Sequence, residues 1–124
     1  MSEPQISYDE PADTLYVSFS PGESATGIEL NEHILLRVNL EERRAIGITL
    51  LDFSLLAQRT ELGPRSFPLT GLKRLGPGLR RLAISLLQSP PVSEYLGLSA
   101  FTPNAARSIP ITVLNVEKFA PRAA

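Results

Sequence analysis

From Ile6 to Asp52 apolar and polar residues alternate with a period of two, a pattern that lines one face of a strand and smears around a helix. Ile6 and Tyr8 alternate with Ser7 and Asp9, and Leu15, Val17 and Phe19 with Tyr16 and Ser18. Ile28 and Leu30 flank Glu29; Ile34, Leu36 and Val38 alternate with Leu35, Arg37 and Asn39. Ile46, Ile48 and Leu50 alternate with Gly47, Thr49 and Leu51. Between these runs stand turn-forming segments: Asp9-Glu10-Pro11-Ala12-Asp13, Ser20-Pro21-Gly22-Glu23, Asn31-Glu32-His33 and Glu41-Glu42-Arg43-Arg44. Such short connections predict that each strand pairs antiparallel with the one before it. The expectation is a five-stranded antiparallel β-meander over residues 1–56, apolar on one face.

That face needs a cover, and the second half offers one. Leu72, Leu75, Leu79, Leu82 and Leu86 are spaced 3, 4, 3 and 4 apart, one stripe of a helix. Gly76-Pro77-Gly78 suits a helix start, and Pro90-Pro91 a stop, so the main helix is expected from Pro77 to about Gln88. Residues 57–76, with Gly63-Pro64, Pro68 and Gly71, read as a loop crossing to the other side of the sheet. A short helix is expected around Ser93 to Leu96, ending at Gly97. Ile109 to Val116 alternates weakly around Pro110 and fits an edge strand. The predicted fold is thus one α+β domain over 1–124, with the meander covered by a mainly helical C-terminal extension over 77–124.

A chain of 124 residues is long enough for one hydrophobic core, and 43% apolar with 20% charged residues is ordinary globular composition, from which a folded chain is expected. It contains no cysteine, which rules out disulfides, thiolate metal sites and a cysteine nucleophile, and suits the cytoplasm. Met1-Ser2-Glu3-Pro4-Gln5 lacks the basic flank and apolar run of a signal peptide. Leu82–Leu87 is too short to span a bilayer, so no membrane association is expected. Charge divides unevenly. Residues 1–60 hold four Lys/Arg against ten Asp/Glu, a net of −6, and residues 61–124 hold eight against three, a net of +5. Because the basic residues are scattered, packing of oppositely charged halves, within the chain or between subunits, is preferred over nucleic-acid binding.

Two stretches carry a family likeness. Tyr8-Asp9-Glu10-Pro11-Ala12-Asp13-Thr14-Leu15-Tyr16-Val17 and Ala45-Ile46-Gly47-Ile48-Thr49-Leu50-Leu51-Asp52-Phe53-Ser54 are similar to the opening and closing strands of a small bacterial family, domain of unknown function number 2283. The resemblance covers residues 5–56. Two positions depart from it: Leu40-Glu41-Glu42-Arg43-Arg44 stands where the family favours acidic residues and glycine, and Thr49 where it favours glutamate. The resemblance implies a β-meander fold and no established activity. Family members resemble partners of small toxin-like proteins, which implies a small protein partner.

Chemistry-bearing residues are few. Asp9, Glu10 and Asp13 could hold a hard cation, yet aspartates around a proline turn also fix the turn through backbone N–H groups, and no glycine-containing calcium loop follows. No metal or cofactor is expected. His33, the single histidine, lies in a turn and reads as a solvated loop residue. Gly78, Arg80 and Arg81 at the helix start form a candidate anion cradle, against the reading of helix punctuation with a solvated basic face. Val92–Ser99 followed by Asn104–Arg107 suggests a helix-turn-helix, interrupted by Pro103 and by Ser108-Ile109-Pro110. No nucleophile–base pair assembles, so an enzyme is the third choice and no catalytic residue is assigned. Tyr16, Leu35 and Leu51 fall on the sheet face opposite the core and form a candidate interface. The sequence therefore favours a non-catalytic interaction module, a homodimer that also takes a small protein partner. A nucleic-acid or anion-binding module using the basic half is the alternative.

Overall fold

The computed structural model describes residues 4–60, 63–64, 66–104 and 107–119. Five strands appear where the alternation places them: β1 (Gln5–Asp9), β2 (Thr14–Ser18), β3 (Thr26–Glu29), β4 (Ile34–Asn39) and β5 (Arg44–Leu51). All pair antiparallel, but in the order β1-β2-β5-β4-β3. The meander is therefore replaced by a Greek key: β3, β4 and β5 follow one another through hairpins, and β5 returns to lie against β2. The physical reason is the β2–β3 connection. Residues 19–25 need to cross three strand spacings, about 14 Å, and seven extended residues reach roughly 23 Å. A hairpin is not forced at that length.

The register aligns the predicted face. Leu15 pairs with Leu50 and Val17 with Ile48, while Leu36 stands opposite both Ile48 and Ile28. Leu15, Val17, Ile28, Ile34, Leu36, Val38, Ile48 and Leu50 are buried together, and Phe19 packs against them half-buried. Between β4 and β5 the register shifts, with Arg37 opposite Gly47 and Val38 opposite Ala45, so Ile46 is the extra residue of a bulge. The following turn puts Arg43 at φ 54°, a left-handed conformation in which glycine is at ease and arginine is not. Its neighbour Arg44 holds the turn down by pairing with Glu42 and with Glu23 and Ser20 of the β2–β3 connection.

The cover differs from the expected helical one. After α1 (Phe53–Leu56) come a two-stranded ribbon, β6 (Arg59–Thr60) with β7 (Gly63–Pro64), then β8 (Ser66–Pro68) and a 3-10 helix (Thr70–Arg74). The main helix, α2 (Pro77–Leu87), starts at the proline and ends next to Gln88 as the sequence predicts. Beyond a 3-10 turn at Val92–Glu94, however, lie two long strands, β9 (Leu96–Asn104) and β10 (Arg107–Leu114), and a short α3 (Val116–Phe119). With β8 they form a second sheet, ordered β8-β10-β9. The late strand is thus central, not an edge. Pro110 is accommodated because its carbonyl accepts the Leu69 N–H just past Pro68, so its missing donor faces the last rung of the β8 ladder. The helix-turn-helix reading fails for the same reason: Leu96–Asn104 is a strand.

Leu56, Phe67, Leu69, Leu72, Ala83, Leu87, Val92, Tyr95, Leu96, Leu114 and Phe119 close over the first sheet in one continuous core. A line of rings, Tyr8, Phe53, Phe119, Tyr95 and Phe19, with centroids 5.2–6.0 Å apart, seals its flank. Two hydrogen bonds fix the cover to the β3–β4 turn: Gly71 N–H to the Leu30 carbonyl (2.8 Å) and Asn31 Nδ2 to the Pro68 carbonyl (3.0 Å). Gly71 has to be glycine for this approach, since a Cβ there would lie 2.0 Å from the Glu29 carbonyl oxygen.

Candidate interaction surface

The second half packs on one face of the five-stranded sheet and leaves the other open. Along that open face the register lays out rows of side chains. One runs Ser7, Tyr16, Thr49, Leu35 and Glu29; a second runs Gln5, Ser18, Gly47, Arg37 and Gly27. A third carries Asp9, Thr14 and Leu51, extended to His33 by the hydrogen bond from Leu51 N–H to the His33 carbonyl (2.8 Å). Tyr16, Leu35 and Leu51, expected from the sequence to share a face, are brought together: Tyr16 and Leu35 flank Thr49, and Leu51 stands one step along β5. Tyr16 and Leu51 are each 43% exposed and Leu35 is half-buried.

Serine, threonine and glycine fill the positions between, which makes the face flat. Gly47 is required by its neighbour strand, because a Cβ there would lie 2.5 Å from the Val17 carbonyl oxygen. Arg37 extends across this gap, its Nη1 3.5 Å from that same Cβ position. It is half-buried and makes no ion pair with a described residue. His33, expected to be solvated, has a side chain only 22% exposed, with Nδ1 3.1 Å from Asp52 Oδ2 but off the line of a hydrogen bond.

The acidic turn does structural work. Asp13, at φ 53°, accepts from Tyr8 Oη (2.6 Å), Ser54 Oγ (2.9 Å) and Ser54 N–H (3.1 Å), while its carbonyl accepts Phe53 N–H. The Tyr8 bond, helped by those from Ser54, holds the Asp13 carboxyl below the ordinary aspartate range and pushes the Tyr8 phenol up. Asp9 reaches back to Ala12 N–H at 3.5 Å. The turn is thereby tied to the start of α1, a tie between residues 41 apart that the local motif does not announce. Among the described residues no group of three or more His, Asp or Glu side chains is placed to hold a metal ion.

At the start of α2 the arginines part company. Arg80 turns back onto the preceding 3-10 helix, donating to the carbonyls of Leu72 (3.0 Å), Leu75 (3.0 Å) and Lys73 (3.3 Å). Arg81 and Gly78 stay exposed. Among the described residues, no helix is long and apolar enough to cross a membrane.

One feature escapes the sequence pattern entirely. Between the outer edge of β3 and the 3-10 helix runs a groove of about 660 Å³, lined by Gly27 and Glu29 on one side and Thr70, Gly71 and Arg74 on the other. Its walls come from segments some forty residues apart, and no local signal marks them.

Compared with known proteins, residues 5–54, which hold the whole five-stranded sheet, match the family described as Protein of unknown function (DUF2283). No curated protein and no solved structure matches the chain.

Proposed function

We propose that this chain is a non-catalytic protein-interaction module of the cytoplasm, which self-associates through the open face of its DUF2283 sheet and takes a small protein partner in addition. The observation that carries the reading is the uncovered face itself, with Tyr16 and Leu51 each 43% exposed beside Leu35 while the chain's own cover lies on the opposite side. A second copy is the occupant that fits. A two-fold axis sets the same patch against itself, so the patch needs both signs of charge, and this one carries Arg37 and Glu29 on neighbouring rows. Thr49, standing where the family resemblance expects glutamate, leaves the middle of the apolar row uncharged.

The size of the face bounds the affinity. Five strands about 4.8 Å apart and about five residues long present roughly 400 Å² in projection. That is the low end of specific interfaces, so association is concentration-dependent, in the range of about micromolar or weaker. Sedimentation velocity from about 1 to 500 μM is expected to show a monomer–dimer equilibrium. Leu51→Glu and Tyr16→Glu, both at exposed positions, are expected to abolish it while leaving the circular dichroism unchanged. A wild type that stays monomeric throughout refutes the proposal.

A further inference from the structure

We propose that the free edge of β3 is a strand-addition site for an extended, basic peptide segment of a partner protein. The ladder decides which backbone groups are free. In an antiparallel pair, residues alternate between directing N–H and C=O at the neighbouring strand and directing them away. Leu30 N–H donates to the Ile34 carbonyl at 2.9 Å, and the β3–β4 register runs on without a shift from that rung to Ile28 opposite Leu36 and Thr26 opposite Val38. Thr26, Ile28 and Leu30 therefore face β4, while Gly27 and Glu29 turn their backbone groups outward along the edge. β3 carries neither of the usual edge guards, lysine or proline, and among the described residues β4 alone pairs with it.

The outward groups of Gly27 and the Glu29 N–H open onto the groove between β3 and the 3-10 helix, while the Glu29 carbonyl is covered by Gly71. At one end it is closed, where Gly71 presses against the Glu29 carbonyl and donates to the Leu30 carbonyl. Toward Gly27, which has no side chain to block the approach, it is open. Such a channel suits an extended chain: backbone hydrogen bonds on one side, a wall on the other, and alternate side chains directed out of the plane.

Charge selects the peptide. Glu29 makes no ion pair with a described residue, and Glu32, with its side chain 88% exposed, has only His33 Nε2 at 3.8 Å. Both line the groove, against Arg74 on the far wall. A strand with lysine or arginine at alternate positions meets these carboxylates, and an acidic strand is repelled. The site lies three strands from Tyr16 and shares only Gly27 and Glu29 with the self-associating face, so Tyr16→Glu separates the two.

The test is an NMR titration of the ¹⁵N-labelled full chain with two heptapeptide pools. Both are randomised over Val, Ile and Thr at alternate positions; the remaining positions are Lys in one pool and Glu in the other. The Lys pool is expected to shift the amides of Gly27 and Glu29 and to slow their hydrogen exchange, and the Glu pool to leave both unchanged. N-methylation of the Lys pool is expected to weaken binding about tenfold by removing the strand hydrogen bonds. Glu32→Lys is expected to weaken it about fivefold, whereas Tyr16→Glu binds as the wild type does. The proposal is overturned if both pools act alike, if N-methylation has no effect, if Tyr16→Glu abolishes binding, or if the two amides do not respond at about 1 mM peptide.

Discussion

The segment that carries the family match holds only half of a core, and the consequence can be worked out. Leu15, Val17, Ile28, Leu30, Ile34, Leu36, Val38, Ile48 and Leu50 are each at most 3% exposed in the whole chain, and their far side is covered by residues beyond Asp52. Full burial of an aliphatic side chain of this size is worth about 1.5–3 kcal/mol. If cross-strand neighbours retain roughly half of that burial, removing the cover from nine such residues costs about 7–13 kcal/mol. A domain of this size has a total stability of about 5–15 kcal/mol. A fragment of residues 1–56 is therefore expected to lose its native packing even though every strand is present. Urea unfolding followed by near-UV circular dichroism is the assay, with dye binding and sedimentation alongside. The expected fragment shows no cooperative transition, exposes apolar surface to the dye and aggregates or self-associates. A monomeric fragment with a sigmoidal urea transition and native-like near-UV signal would refute the assignment of residues 57–124 as an obligatory layer.

Three further outcomes are expected. Gly71→Ala places a methyl group against the Glu29 backbone, which cannot rotate away, and should cost about 1–3 kcal/mol in denaturant unfolding, whereas Gly78→Ala, with nothing within 4 Å, should be neutral or up to about 1 kcal/mol stabilising. Arg43→Gly relieves the left-handed conformation at φ 54° and should stabilise by up to about 1 kcal/mol, read from the urea midpoint. The Asp13 carboxyl is lowered in the folded chain, so its contribution is present above the ordinary aspartate range, near pH 4, and is lost as pH falls through the depressed value; Asp13→Asn should lower stability at neutral pH and flatten the acid limb of a stability–pH curve.

What the sequence reveals follows from how local the cause is. Period-two alternation is a property of each strand by itself, so β1 to β5, their buried side chains and the face shared by Tyr16, Leu35 and Leu51 can all be read from the residues. The start of α2 is equally local, set by Pro77 after Gly76. Strand order is not local. Ser20-Pro21-Gly22-Glu23 marks a turn, yet a turn inside a seven-residue connection does not choose the strand's partner, and β2 pairs with β5. The second sheet is hidden by its composition: Gly97, Pro103 and Pro110 read as strand breakers, and only the fold shows Pro110 accommodated beside the last rung of β8. Arg80 looks from the sequence like a free cation at a helix start, and only the fold shows it capping the carbonyls of Leu72, Lys73 and Leu75. Gly71 reads as an ordinary loop glycine, and its need for close backbone approach is visible only once β3 lies beside it.

The uneven division of charge finds its meaning in what the halves do not share. The two halves pack together, but the ion pairs among the described residues stay within each: Arg44 with Glu23 and Glu42 in the first, Lys118 with Glu94 in the second. Across the boundary the contacts are aliphatic packing, the line of rings, and hydrogen bonds such as Gly71 to Leu30 and Asn31 to Pro68. Among the described residues, attraction between a −6 segment and a +5 segment is therefore not spent on direct pairing. Exposed carboxylates such as Glu29 and Glu32 remain available at the surface, beside an edge strand with outward backbone groups and next to a flat face with apolar centres. Charges held this way act chiefly on encounter and orientation, while apolar burial and backbone pairing supply the binding free energy. The same separation explains why the fold tolerates the asymmetry: its stability rests on a neutral core.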